Sequence, residues 1–273
     1  MLYRTWLVKG KAASAVLAAL INADQTERLI YMKKILGAVR RCCEDFNMIA
    51  PGDRIAVGVS GGKDSMLLLT ALAMYRDHMG IPFEVEAITL MTGIPVADYT
   101  PVAETCARLN VPCTLQPSDI SEIVFNRRHE KNPCSLCAKL RRGALNDIAV
   151  QRGCNKVALG HHRDDALETF LLSMFYEGRL HTFQPVTRLD RTGLTVIRPL
   201  LYISEKEIIG AARKLGLPIV KSTCPASGET KRQEMKEMLN AICRQIPTAR
   251  QYMLNALKNT AQYGLWDKCG QND

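Results

Sequence analysis

No stretch of this 273-residue sequence is apolar for long enough to cross a bilayer, a span that takes about 20 consecutive apolar residues. Internal repeats and low-complexity tracts are missing, which removes solenoids and disordered chains as the main architecture. The common nucleotide loop G-x-x-x-x-G-K-[ST] is not completed at Gly62-Lys63, where it would need a glycine in place of Val57 and a hydroxyl residue in place of Asp64. That argues against a loop built for γ-phosphate transfer. A second C-x-x-C is lacking as well, so the paired pattern of a four-cysteine zinc site is absent.

What is present is ordinary in bulk and unusual in detail. The length suits one large domain or two modest ones, with room for a sizeable core. Hydrophobic residues make up 47% and charged residues 23%, as in soluble globular proteins. Lysine and arginine number 36 against 27 acidic residues, a net charge of +9, which favours an anionic partner and puts nucleic acid ahead of a membrane surface. Ten cysteines are many for a chain that otherwise reads as cytoplasmic. Disulfide frameworks belong mostly to much shorter secreted chains, so reduced thiols with a metal or redox role are expected instead. The opening "MLYRTWLVKGKAASAVLAALINADQ" is read as a helical or disordered extension rather than a signal peptide, because Trp6, Leu7 and Val8 interrupt its charged start.

Apolar spacing then alternates between helix and strand. Leu29, Ile30, Met32, Ile35, Leu36, Val39 and Phe46 predict a helix over 27–48. Strands are expected at 54–60, 83–90, 111–116, 156–160 and 194–201, interleaved with helices at 64–79, 101–110, 135–152, 164–176 and 204–215. Two more helices are expected over 229–243 and 247–260, with a loose tail from Trp266. This order predicts an α/β fold, a doubly wound and mostly parallel sheet with helical N- and C-terminal additions. It divides as an extension (1–26), an N-terminal helix (27–50), an α/β domain (51–220) and a Cys-bearing loop with helices (221–273).

Two segments fall at the carboxyl ends of strands, where such sheets bind ligands. In "SGGKDS", Gly61 and Gly62 let backbone amides face an anion at the start of a helix. Lys63 adds a point charge, Ser60 and Ser65 add donors, and Asp64 is placed to hold magnesium or orient the loop. In "GHHRDD", His161 and His162 are candidate phosphate contacts, while Asp164 and Asp165 either bind magnesium or cap the helix. Cys134 and Cys137 form the C-x-x-C, which by itself fits zinc, a redox disulfide or an iron–sulfur cluster. Cys224, in a loop before a basic helix, is the leading third thiol, and three thiolates would leave one iron of a [4Fe–4S] cluster without a protein ligand. Arg141 and Arg142 lie one helical turn past Cys137, facing either that site or solvent. The remaining cysteines are read as small core residues. Basic side chains at Arg127-Arg128-His129, Lys139 to Arg142, Lys231-Arg232, Arg188, Arg191 and Arg198 are spread over the chain, as suits a folded RNA with one base splayed into the site.

"VSGGKDS" resembles the pyrophosphate loop of the PP-loop ATPases, with their adenine nucleotide alpha hydrolase-like fold. The order "RRCCEDFNMIAPGDRIAVGVSGGKDS", "CSLCAKLRRGAL", "LGHHRDDALETFLLSMFYEGRL", "CPAS" is similar to that of the tRNA 2-thiocytidine synthetase family, over about residues 27 to 245. The resemblance implies ATP, Mg2+ and a [4Fe-4S] cluster, with Cys134, Cys137 and Cys224 as cluster ligands and the six-residue loop as the ATP site. It implies an ATP-dependent tRNA thiolase that adenylates a base oxygen, of cytidine, and replaces it with sulfur. A cysteine desulfurase or free sulfide would supply the sulfur, no membrane is involved, and a homodimer is expected from the superfamily. The alternatives are a cysteine persulfide on Cys137 or Cys224, a nitrogen nucleophile, or an ATP- and redox-sensing protein without turnover.

Overall fold

The computed structural model describes residues 25–78, 80–93, 98–128, 133–220, 224 and 231–259. The expected extension over 1–26 lies almost wholly outside the described residues, as do His129, Cys269 and the tail from Trp266.

After helix α1 (Gln25–Asp45), the Pro51-Gly52 turn leads into β1 (Arg54–Gly58). Ile55, Ala56 and Val57 are fully buried in succession, the mark of an interior parallel strand covered on both faces. Helix α2 (Lys63–His78) returns the chain to β2 (Glu84–Met91), then come α3 (Thr100–Arg108) and β3 (Cys113–Pro117). A six-residue π-helical segment, Glu122–Arg127, which the periodicity does not announce, precedes α4 (Pro133–Gln151). Next are β4 (Lys156–Ala158), α5 (Arg163–Glu177), β5 (Val186–Arg188), β6 (Thr195–Ile197) and α6 (Glu205–Leu215). Helices α7 (Lys231–Gln245) and α8 (Ala249–Lys258) follow.

The sheet runs β3-β2-β1-β4-β6-β5, parallel except for the β5–β6 pair. It is therefore a mixed, mostly parallel α/β sheet. One expectation is corrected, and one strand is added. The last parallel strand covers only Thr195–Ile197 of the expected 194–201, because Pro199 has no N–H to continue a ladder. An antiparallel edge strand, β5, pairs Val186 with Ile197 and Arg188 with Thr195. Its three residues, two half-buried and one exposed, are too few for any alternation to register.

The order of strands reverses between β1 and β4, so the crevice at their carboxyl ends is the topological switch point of the sheet. Leu145 and Ala149 of α4 pack on Ala56, Ile88, Leu90 and Val157. At the opposite ends of the strands sits a buried ion pair, with Lys156 Nζ 2.6 Å from Asp53 Oδ2. Asn155 Nδ2 donates to Asp53 Oδ1 at 2.8 Å, and Lys156 donates to the carbonyl of Met48 at 2.8 Å, which fixes the exit of α1 against β1 and β4.

Helix α6 begins with a capping box. The Ser204 hydroxyl accepts from the Glu207 amide at 3.2 Å, and Glu207 Oε2 accepts from the Ser204 amide at 2.9 Å. Lys34 of α1 reaches Glu207 at 2.8 Å. Burial opposes ionisation of Glu207, but Lys34 and the Ser204 donors prevail and lower its pKa from 4.5 to about 2. Its contribution to stability is complete above pH 4.5 and is lost as the pH falls towards 2. Ser204→Ala is expected to cost about 1 kcal/mol in urea unfolding at neutral pH. An unchanged midpoint would remove the capping argument.

By contacts, the chain divides into two compact units, one of residues up to 162 and 184–228, the other of 163–183 and 229–273. The first holds the sheet. In the second, Leu167 and Leu171 of α5 pack against Met235 and Leu239 of α7, with Met253 and Leu257 of α8 alongside. No helix among the described residues is long and apolar enough to cross a membrane.

Candidate active site

Where β1 ends, the Val59 amide still donates to Ile88, and at Ser60 the chain leaves the sheet. The loop's own hydroxyls fold it. The Ser60 amide donates to Ser65 Oγ at 3.2 Å, Ser65 Oγ donates to the Gly62 carbonyl at 3.0 Å, and the Gly62 amide reaches Ser60 Oγ at 3.4 Å. Ser65 is buried and thus braces the loop from within. Helix α2 starts immediately, so its first amides have no partner within the helix and stand at its positive end.

Gly61 has φ +81°, and a β-carbon there would sit 2.7 Å from Cβ of Val220. The Val220 amide donates to the Gly61 carbonyl at 2.9 Å, clasping the loop from the segment after α6. On the other side, a β-carbon at Gly160 would lie 3.2 Å from the backbone of Asp64 and Ser65, so β4's exit packs directly on the loop.

Lys63 Nζ lies 3.1 Å from Asp64 Oδ2 and 3.3 Å from Glu205 Oε1. Burial works against the ammonium, but the Asp64 and Glu205 carboxylates outweigh it and hold the Lys63 pKa above its ordinary value. The other oxygen, Asp64 Oδ1, is buried and accepts no hydrogen bond, with Nε2 of the buried His162 3.8 Å away. A desolvated anionic oxygen without a donor, beside a row of helix N-terminal amides, fits a hard cation carried with a polyphosphate.

The other aspartates are engaged by arginines. In the second unit, Arg250 Nε donates to the buried Asp164 at 2.7 Å, and Arg232 Nη1 donates to Asp165 at 3.1 Å. Both acids occupy the first turn of α5, where the helix dipole favours them. His161 is half-buried after β4.

Cys134 and Cys137 lie in the first turn of α4 at i, i+3 spacing and therefore share a face, Cys134 exposed and Cys137 half-buried. Burial pushes the Cys137 thiol up, the Arg141 guanidinium opposes it, and the sulfurs of Cys224 and Cys134 add to the rise. The three thiols and Arg141 thus share one electrostatic neighbourhood, while Arg142 bonds the Ala138 carbonyl at 3.3 Å and acts on Arg198 instead. Among the described residues no three such side chains converge on a single ion. Three thiolates to a cubane each bind a different iron, so they stand farther apart than ligands of one ion. Three thiols are chemically the kind of donor set that an iron–sulfur cluster takes.

Sequence reasoning missed Glu205 and Val220, and gave Gly160 of "GHHRDD" no role. Glu205 and Val220 reach the loop from far along the chain, and nothing local marks them.

The family described as a PP-loop domain matches residues 31–241. The tRNA-cytidine(32) 2-sulfurtransferase of Pelobacter propionicus is 41% identical over 261 residues, covering 94% of this chain and 96% of that protein. The chain belongs to the tRNA 2-thiocytidine synthetase family of PP-loop enzymes. A second member, the tRNA-cytidine(32) 2-sulfurtransferase of Geobacter metallireducens, is 39% identical over 239 residues, covering 86% of this chain and 93% of that one. Among solved structures, the U34-tRNA thiolase NcsA from Methanococcus maripaludis, with its [4Fe-4S] cluster, has a TM-score of 0.71 at 22% identity. It covers 89% of this chain and 82% of its own, and the likeness is one of fold. The matched family span contains the nucleotide loop, the C-x-x-C and Cys224 together.

Proposed function

We propose that this enzyme replaces O2 of a tRNA cytidine with sulfur in an ATP-dependent reaction, at position 32 as in the name its relatives carry. One observation carries the reading beyond family membership: a single compact unit contains both a pyrophosphate-type loop and a three-thiol group. A loop with helix N-terminal amides, Lys63 and an orphaned Asp64 oxygen suits the leaving pyrophosphate of an adenylation, with Asp64 as the residue for Mg2+. The base oxygen attacks the α-phosphate of ATP, pyrophosphate departs towards Lys63, and the adenylated oxygen becomes a leaving group on the base. Sulfur then takes its place and AMP is released.

Cys134, Cys137 and Cys224 would hold the [4Fe–4S] cluster, which when bound supplies an iron lacking a protein ligand and able to carry a sulfide. Arg141, placed against the thiols, offsets their negative charge. Asp164, buried against Arg250, and Asp165, against Arg232, then serve to order the start of α5. His161 is a candidate nucleotide contact. The spread of basic side chains supplies the phosphate contacts for tRNA. The sulfur source is a cysteine desulfurase or free sulfide, and the working form is a homodimer, which sedimentation would read.

The deciding experiment compares nucleosides of tRNA from cells with and without the gene by mass spectrometry. Loss of 2-thiocytidine is expected, and unchanged 2-thiocytidine defeats the substrate assignment. Anaerobically purified protein is expected to show broad visible absorbance and three protein-derived sulfur ligands. Colourless protein that still thiolates tRNA would select the persulfide route on Cys137 or Cys224.

A further inference from the structure

The clasp between Val220 and Gly61 joins two parts of the site that the chain otherwise keeps apart. The Gly61 carbonyl and the Gly62 N–H belong to one planar trans peptide and point in opposite directions. Glycine on both sides of that peptide leaves it free to flip. Val220 donates to the carbonyl at 2.9 Å, and by doing so it fixes the direction in which the Gly62 N–H points. That N–H makes a long contact of 3.4 Å with Ser60 Oγ. It is the kind of donor a phosphate oxygen takes over.

The same segment carries a thiol. Cys224 follows Val220 by four residues, and four residues of fully extended chain reach at most about 14 Å. Cys224 therefore lies within that reach of the clasp. An anion on one side of a peptide also polarises it and makes its carbonyl a better acceptor on the other side.

We infer that the backbone amide of Val220 is a positioning group for the nucleotide loop, and that through it nucleotide binding and the surroundings of Cys224 are coupled. The coupling rests on Cys224 belonging to the thiol group of the reaction proposed above; the positioning of the loop does not. Val220 touches no substrate in this scheme. It sets the orientation of one donor, and it stands four residues before a sulfur. The coupling is reciprocal by linkage, so whatever steadies Cys224 also favours the phosphate-ready loop.

The test uses the full-length chain, chelator-treated and with reduced thiols, and ATP with magnesium in the absence of tRNA. Alkylation rates of Cys224 and Cys134 are read by mass spectrometry with and without nucleotide, and ATP affinity is read by calorimetry. In the unaltered protein, nucleotide is expected to slow alkylation at Cys224 more than at Cys134, which lies on α4. Val220→Pro, which deletes the N–H, is expected to weaken ATP binding about fivefold, the effect of one hydrogen bond, and to abolish the selective protection of Cys224. Val220→Ala retains the N–H and is expected to keep both. Unchanged affinity and protection in Val220→Pro, or equal loss in Val220→Ala, overturns the inference.

Should Val220→Pro fail to fold, hydrogen exchange of the Val220 amide in the unaltered chain decides: exchange slowed further by ATP supports the clasp, and exchange indifferent to ATP overturns it. None of these readings requires the cluster or tRNA, so failure here is distinct from failure of the thiolation assignment.

Discussion

Gly61→Ala is expected to lower ATP-dependent turnover by about 100-fold, the scale of loss that follows misplacement of a reacting group by 1 Å. At φ +81°, an alanine pays the left-handed penalty of about 1–2 kcal/mol. Its β-carbon would meet Cβ of Val220 at 2.7 Å, a contact that only backbone movement relieves. Either the loop shifts, carrying Lys63 and Asp64, or the Val220 strap withdraws. Gly62→Ala is the informative contrast. Its nearest neighbour is Ser60 Oγ at 3.5 Å, so it should lose far less. Pyrophosphate exchange and overall thiolation measured side by side would show equal losses for the two variants if the Val220 contact does not matter.

The second large effect concerns stability. Lys156→Met is expected to cost about 3–5 kcal/mol in urea unfolding, because it leaves the Asp53 carboxylate buried without its cation. The side chains are 13% and 6% exposed, so solvent cannot take the place of the missing ammonium. Asn155 and the Ala50 amide still donate to Asp53, which limits the loss. Burial alone would raise the Asp53 pKa, yet Lys156 and the amide donors bring it below the usual carboxylate value. The pair therefore stabilises fully above the unfolded carboxylate pKa of about 3.9 and fails as the pH falls through the lower folded value. Adding Asp53→Asn to Lys156→Met should recover much of the loss. If the double variant is no more stable than the single, the buried charge is not the cause.

Much of the architecture is legible in the sequence because it is local. Val57, Ala56 and Ile55 between a Pro-Gly turn and a Gly-Gly turn have few ways to fold other than as a buried strand. The S-E-K-E spacing from Ser204 announces its own capping box. What escapes is set by partners far along the chain. The β5 edge strand owes its existence to β6 and has no pattern of its own. Lys63 finds its second carboxylate at Glu205, and Gly61 finds its clasp at Val220, with no periodicity to link the members of either pair. Asp164 and Asp165 look alike in "GHHRDD", and burial and the arginines of α7 and α8 distinguish their surroundings. At the thiols, the C-x-x-C and Arg141 one helical turn past Cys137 are legible, whereas the nearness of Cys224 emerges only in three dimensions.

The pairing of α5 with α7 and α8 has a consequence for synthesis on the ribosome. Leu167 and Leu171 leave the decoding centre well before Leu239, Met253 and Leu257, which complete their cluster. At about 5–20 residues per second, the 86 residues from Leu171 to Leu257 take about 4–17 s to translate. For that interval the nascent chain carries an apolar helical stripe whose cluster is incomplete. The first unit's sheet can already be assembled from residues before 200, so this enzyme matures from its middle outward, and its last helices are the ones that relieve the exposed surface of the nascent polypeptide.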